Sequence, residues 1–523
     1  MTDTTATSAP APRSRGPLRV FVLTFVAAWI LGVCWAAASP AFSGPDEGSH
    51  VLRAYSAGRG QVIGPDGGEI PGIIGETTLV DVPRRLGDLV GVAGCYVFQA
   101  RIPAACATDP RVGTGVRSYQ DTAGRAPPLY HLLVSPPLEL WPRMRGVYAA
   151  RALSAAIFAA LIAGAVAVSA ARGLRNTLVG TFLACTPMAW YFAGVLNPSG
   201  LEIASGVAVW SAGFAALHDL RHHRRPSRGA TALLALGGAG LAATRSLGPL
   251  WVGVAGLSLL AFAAMAKDLG RVLRERRIWI AGGIVAAATL GNAVWVLRAD
   301  SLGSSSHFAD VGLTTAIAHS LGRQSGMWHS LFAQFGYLDT DPPEGIHVTL
   351  VACWFALLAV AVAVSRRRER AGLLGLLAVA LFAGVAIEAS QYNQLGPVWQ
   401  GRYTLPLLAG VPILAGWLID RHRIAMPAAP RLRTWLVGLA TLAHAGAWWF
   451  ALRRFAVGTA GKVFFFQRHT WLDEALVPVT VVGLIAIAAV GAGTMWLARE
   501  RPDDHLDQDL DLALGGWLTR PPG

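Results

Sequence analysis

Runs of about 20 apolar residues recur along this 523-residue chain, and a run of that length makes a helix that crosses a bilayer. In hydrocarbon every backbone N–H and C=O must find its partner inside the segment, so a chain patterned this way folds as a bundle of helices. Twelve spans are expected, near 18–39, 147–169, 176–196, 201–218, 229–244, 248–266, 277–297, 347–365, 370–388, 404–419, 434–450 and 475–497. The fifth is short, and reads as tilted, broken or partly re-entrant. Composition agrees: 53% of residues are hydrophobic and 14% charged, against about 25% charged in soluble domains. The formal charge of +13 would suit a nucleic-acid partner, but the Lys and Arg residues fall in short clusters between apolar runs. That is the footprint of membrane topology. The expected partner is the bilayer, and no nucleic acid. The fold class is thus an all-α integral membrane protein of about 12 helices, within a range of 11–13. No convincing internal repeat is found.

The charge clusters set an orientation. Alternate loops carry Arg172 and Arg175; Arg221, Arg224, Arg225 and Arg228; Lys267, Arg271, Arg274, Arg276 and Arg277; Arg366, Arg367, Arg368 and Arg370; and Arg421, Arg423, Arg431 and Arg433. The positive-inside rule puts these loops and both termini in the cytoplasm of a plasma (inner) membrane protein. The loops 40–146, 197–200, 245–247, 298–346, 389–403 and 451–474 are then extracytoplasmic. The first exceeds 100 residues and must hold structure of its own, with short interfacial helices. Cys95 and Cys106 lie in it, on the oxidising side, as a disulfide or as two free thiols; the five cysteines show no metal-ligand spacing. Arg13, Arg15 and Arg19 before the first span, and Ala37-Ala38-Ser39-Pro40-Ala41 after it, imitate a signal peptide. Its apolar core is longer than a signal sequence requires, which favours an uncleaved anchor. Residues 1–17 read as a disordered cytoplasmic N-terminus, 18–497 as the membrane domain and 498–523 as a solvated cytoplasmic tail bearing Asp503, Asp504, Asp507, Asp509 and Asp511.

The residues that carry chemistry fall in the outer loops. Just after the first span comes Ser43-Gly44-Pro45-Asp46-Glu47-Gly48-Ser49-His50. Pro45 suits a helix start, and both acids then fall in the first turn, where the helix dipole favours them. Asp46 and His50 share a face at i, i+4, while Glu47 points partly aside. A carboxylate at the membrane surface is suited to taking a proton from a hydroxyl; simple helix capping is the competing account. A zinc protease site is excluded, since the second His of H-E-x-x-H is missing. Later in the loop, Arg125 precedes Pro127-Pro128-Leu129-Tyr130-His131, and its planar fork suits phosphate oxygens. Glu202 follows the tight turn Asn197-Pro198-Ser199-Gly200, and Arg245 lies between two helices. Tyr392-Asn393 and Gln400-Gly401-Arg402-Tyr403 open the tenth helix. Each Arg alone also fits a lipid-headgroup anchor, and the aromatics Tyr119, Tyr130, Trp141, Tyr337, Tyr392, Trp399 and Tyr403 fit either sugar stacking or an interfacial belt. Ionisable groups at the rim of apolar helices are costly unless paired or functional. Asp46, Arg125, Arg245 and Arg402 are expected to line one outward cavity.

Five motifs in this order resemble a bacterial membrane family of unknown function catalogued as DUF 2142. They are Pro45-Asp46-Glu47-x-x-His50, Arg125-x-Pro127-Pro128-Leu129-Tyr130, Arg151-Ala152-Leu153-Ser154, Phe335-Gly336-Tyr337-Leu338-Asp339-Thr340 and Gln400-Gly401-Arg402-Tyr403-x-Leu405-Pro406. The resemblance runs from roughly 20 to 450. That family is similar in layout to the GT-C superfamily of glycosyltransferases, which work on the outer face with polyprenyl-phosphate sugar donors. The resemblance implies Asp46 as catalytic base, with Glu47 as neighbour or substitute, and Arg125, Arg245 and Arg402 on the donor phosphate. His50, Tyr130, His131, Tyr392, Asn393 and Tyr403 complete the expected substrate-binding set. The acceptor would be a cell-envelope glycan, lipid or protein, and transfer would invert the anomeric carbon. GT-C enzymes vary in metal dependence; a Mg or Mn ion on Asp46, Glu47 and His50 is a possibility that the sequence does not require. Two other classes compete: a transporter or flippase of a lipid-linked sugar, and a non-catalytic membrane scaffold. Transporters usually set polar residues and broken helices at mid-bilayer, whereas here the helix middles are apolar.

Overall fold

The computed structural model describes residues 16–68, 70, 76–107, 112–302, 307–422, 429–466 and 471–499. The segment 1–15, Arg423 and the acidic tail with Asp503, Asp504, Asp507, Asp509 and Asp511 lie outside the described residues.

Ten helices among the described residues are long and apolar enough to cross a bilayer. They are Gly16–Ala38, Met144–Ala170, Pro198–Arg221, Gly248–Met265, Arg276–Ala299, Glu344–Val364, Arg367–Leu395, Gly401–His422, Pro430–Val457 and Asp473–Leu497. The two remaining expected spans appear in altered form. The run 176–196 is broken into Arg175–Ala184 and Pro187–Gly194. Pro187 lacks an N–H and pushes the preceding residue out of the helical region, so Thr186 becomes a cap that accepts from the Ala189 N–H. The fifth run is one unbroken helix, Arg228–Thr244, of 17 residues. Its shortness is real; its interruption is not.

Helix Pro198–Arg221 is buried throughout its apolar stretch, and Gly401–His422 nearly so. These two form the centre, and small residues explain their closeness. A Cβ added at Gly206 would collide with the Pro406 carbonyl oxygen, so the backbones meet directly there. Arg276–Ala299 is by contrast largely uncovered, as an outer helix facing an apolar solvent can be.

The long loop after the first helix folds on its own core. Helices Glu47–Gly58 and Leu129–Leu140 pack with a three-stranded antiparallel sheet, β1 (Asp66–Gly68), β2 (Thr77–Pro83) and β3 (Val116–Asp121), in the order β1-β2-β3. The short helices were expected; the sheet is an addition. Its origin is the β-branched alternation Thr78-Leu79-Val80-Asp81-Val82, which buries Val80 and Val82 and exposes Asp81. Cys95 and Cys106 are joined in a disulfide.

Polar contacts gather at two ends of the bundle. At one, Arg172 pairs with Asp219, Asp420 accepts from Asn176 and Thr177, and Glu369 accepts from His422. At the other, Arg454 reaches the Ile102 and Tyr96 carbonyls, Thr459 N–H meets Ala100, and the Tyr191 hydroxyl reaches Ser43 and Gly336. The loops assigned to one side by charge therefore meet one another, and so do those assigned to the other.

Candidate functional site

The site is built on the turn before helix Glu47–Gly58. Asp46 adopts a left-handed backbone, φ 59°, which Asp tolerates better than most side chains. The turn sends the two neighbouring acids in opposite directions. Asp46 makes no capping bond to the helix; its side chain is 55% exposed and its Oδ2 accepts from Arg402 Nη2 at 2.8 Å. The capping account of Asp46 is therefore set aside.

Glu47 points inward and is wholly buried. Its Oε1 accepts from Arg151 Nε (2.7 Å) and the Leu196 N–H (2.9 Å), and its Oε2 from Arg151 Nη2 (2.6 Å) and the Gly44 N–H (3.4 Å). Arg151 also donates to the carbonyls of Ala36, Ser39 and Pro40. This forked pair ties the end of the first helix to the turn, and it leaves Glu47 no face for a substrate. A role for Glu47 as substitute base is not supported by that geometry.

Arg402 sits one residue into helix Gly401–Leu408 and is 1% exposed. Besides Asp46 it donates to the Tyr403 hydroxyl at 3.0 Å. Its Nε and Nη1 are buried with no acceptor, and its Cζ lies 5.3 Å from the Phe192 ring centre and 4.9 Å from that of Tyr403. Arg245 also stands over the Tyr403 ring, with Cζ 4.5 Å from the ring centre. Its Nη1 donates to Ser199 Oγ at 2.9 Å, and its Nε lies 3.9 Å from Glu202 Oε2. The start of helix Pro198–Arg221 is fastened to the acidic turn by the Asn197 amide, which donates to the Pro45 carbonyl at 2.8 Å. Four distant stretches of chain thus bring one half-exposed carboxylate, two guanidiniums and a phenol together.

His50 and His131 form the adjoining wall. Their Nδ1 and Nε2 atoms are 3.2 Å apart, and His131 Nδ1 lies 3.2 Å from the Pro127 carbonyl. Burial holds both imidazoles well below their ordinary range, with Arg245 and Arg402 adding to it at His50, and His50 and Arg53 at His131. Both rings are therefore neutral. A carbonyl only accepts, so His131 Nδ1 carries the proton and its Nε2 accepts from His50 Nδ1. The remaining lone pair falls on His50 Nε2.

Four expected site residues stand elsewhere. Arg125 is engaged through Nη1 by Glu76 and, at 3.8 Å, by Asp300 rather than by the Asp46 group. Tyr130 is buried with its hydroxyl 3.1 Å from Ser154 Oγ. Tyr392 pairs with His319 and sets its ring against that of Phe308, and Asn393 holds Val311 through its side-chain amide, so both organise the 308–311 segment. Asp46, Glu47 and His50 do not make a cation cradle: Glu47 is saturated by Arg151, and Asp46 is held by Arg402. Phe192 and Ser199 join the site unexpectedly, and Tyr337, expected only as an aromatic for sugar stacking or the interfacial belt, lies near Asp46 and Glu47, which together with burial raise its hydroxyl pKa. Tyr337 lies in the F-G-Y-L-D-T motif; Phe192 and Ser199 carried no chemical signal of their own.

Residues 29–411 match the family described as "Predicted membrane protein (DUF2142)". No curated protein matches the chain. Among solved structures, ArnT from Cupriavidus metallidurans bound to undecaprenyl phosphate is similar at a TM-score of 0.43 and 14% identity, over 93% of this chain and 76% of that one.

Proposed function

The chain belongs to that membrane-protein family, and we propose that it is a glycosyltransferase of the plasma membrane, moving a sugar from a polyprenyl-phosphate donor to a cell-envelope acceptor on the outer face. The observation that carries this reading is the guanidinium of Arg402. Two of its N–H-bearing nitrogens are buried without an acceptor, a costly state that a phosphate oxygen would relieve, and its third nitrogen holds the half-exposed Asp46.

In the proposed step the acceptor hydroxyl oxygen attacks the anomeric carbon while the bond from that carbon to the phosphate oxygen breaks, with inversion. The hydroxyl proton passes to Asp46, and the lipid phosphate leaves with one more negative charge. Arg402 and Arg245 stabilise that charge as it grows. The neutral His50 Nε2 accepts from a substrate hydroxyl, and the Tyr403 ring, stacked against both guanidiniums, holds them in place. No metal is needed in this step as drawn.

The test is incubation of the purified full-length protein with a panel of polyprenyl-phosphate sugars and acceptor lipids or glycans, scoring lipid phosphate released. Asp46→Asn should lower turnover about 100-fold or more and still bind donor; Arg402→Ala should weaken donor binding as well. Full activity in Asp46→Asn, or no release from any donor, overturns the proposal. A flippase would keep transport in Asp46→Asn, because its cargo is not deprotonated.

A further inference from the structure

Away from the Asp46 group, helix Gln324–Phe332 and the start of helix Glu344–Val364 bring His329, Glu344 and His347 together, one ligand atom of each lying within 4.8 Å of the others. We propose that these three residues bind a zinc ion, with Asp341 orienting His329.

The sequence places Glu344 and His347 at i, i+3, on one face of the first helical turn. His329 comes from the preceding helix, so a shared ion would staple the two. His347 is 3% exposed. Its Nε2 lies 2.7 Å from the Ala333 carbonyl, which fixes the proton on Nε2, and its Nδ1 is buried without a partner. A buried imidazole lone pair with nothing to accept is an unexplained cost; a metal ion is the partner that such a tautomer suits. His329 is arranged in the complementary way. Its Nδ1 faces Asp341 Oδ1 at 3.9 Å, and its Nε2 faces Glu344 Oε2 at 3.5 Å. Two ligands each about 2.0–2.1 Å from a tetrahedral zinc stand about 3.3 Å apart, so the observed 3.5 Å leaves room for an ion between them. Two imidazoles and one carboxylate form a donor set that zinc favours, with a fourth position left for water. The His329 and His347 rings lie 4.4 Å apart at 22°, so a modest rotation of the partly exposed His329 completes the approach.

The position has a consequence for the rest of the outer end. The segment between the two helices carries Tyr337 and Asp339, and Asp339 holds Arg454 at 3.3 Å. One residue after His329, Ser330 Oγ accepts from the Gly401 N–H at 2.9 Å, next to Arg402. Zinc would brace the wall on which Arg402 rests. The proposal stands on the His329 cluster alone and does not depend on the transferase reading.

The experiment uses full-length protein purified in detergent without a polyhistidine tag, stripped with chelator, supplied with zinc chloride and passed through gel filtration before elemental analysis. About one zinc per chain should be retained. His329→Ala and Glu344→Gln, both at partly exposed positions, should lose it while eluting at the same volume. Asp341→Asn, which only orients His329, should weaken retention about 10-fold or more. A wild-type chain that emerges without zinc overturns the proposal. Equal zinc in the wild type and the His329→Ala, Glu344→Gln double variant overturns it too, since the ion would then sit elsewhere.

Discussion

Two adjacent acids, Asp46 and Glu47, have opposite environments, and single substitutions should separate them. Glu47 and Arg151 are both wholly buried and linked by two charge-assisted bonds. Removing one charge leaves the other uncompensated inside the protein, a loss of about 3–5 kcal/mol. Glu47→Gln should therefore lower the thermal unfolding midpoint in detergent markedly, read by intrinsic fluorescence. Asp46→Asn, whose side chain is half-exposed and caps nothing, keeps an amide oxygen for Arg402 Nη2 and should lower that midpoint much less. If the two variants melt alike, the division between a clamp and a chemical group fails. Arg151→Lys would not rescue the clamp, because an ammonium cannot donate to both carboxylate oxygens and three carbonyls in the planar fork used here.

At the scale of elements, the outer loop carries a pH-sensitive strand end. Asp121 closes β3 and is buried; its Oδ1 accepts from the Ala123 N–H at 2.9 Å, while Oδ2 has no partner. Burial pushes its pKa up to about 7 from the ordinary 3.8, against the pull of the Ala123 bond and of Arg53. The folded state thus holds a proton that the unfolded chain releases near 3.8. The stability this contributes is fully present below pH 3.8 and is lost as pH rises through about 7. Protease nicking of the outer loop should quicken across that window in the wild type, and Asp121→Asn should flatten the dependence. An unchanged slope in the variant would assign the effect to another group. Some of this element-level architecture was legible in the sequence. The break before Pro187 and the strand Thr77–Pro83 both follow from local rules, proline sterics and β-branched alternation, although the reading from hydropathy alone passed over them. The disulfide is one of the two outcomes that a pair of cysteines in one loop leaves open. The composition of the site was legible only in part, because its pairings are not local. Asp46 and Arg402 are 356 residues apart, and Arg125 precedes prolines and an aromatic much as Arg402 does. What separates the two arginines is Glu76, which reaches Arg125 from a neighbouring segment and which no motif marked. Periodicity reports which face of a helix is apolar; it is silent on which helices adjoin.

For the whole molecule, the decisive property is which end faces the cytoplasm, since a polyprenyl-phosphate sugar used on the outer face can meet Asp46 only if the long loop lies outside. The bundle has two polar ends, one dense in arginine and one built from the long loops, and the arginine excess argues that the former is cytoplasmic. The protein's own cysteines make this simple to check. Cys34, Cys185 and Cys353 are buried, and Cys95 is bonded to Cys106, so none offers a free exposed thiol to a water-soluble maleimide. A single cysteine can then be introduced at Val116, which is exposed in β3 at the loop end, or at Arg225, which is exposed at the arginine end. With a membrane-impermeant maleimide applied to intact cells, Val116→Cys should label at once, and Arg225→Cys only after lysis. The reverse pattern would turn the molecule over, put the Asp46–Arg402 pair on the cytoplasmic side, and remove the basis for an outward-facing transferase while leaving the helical fold untouched.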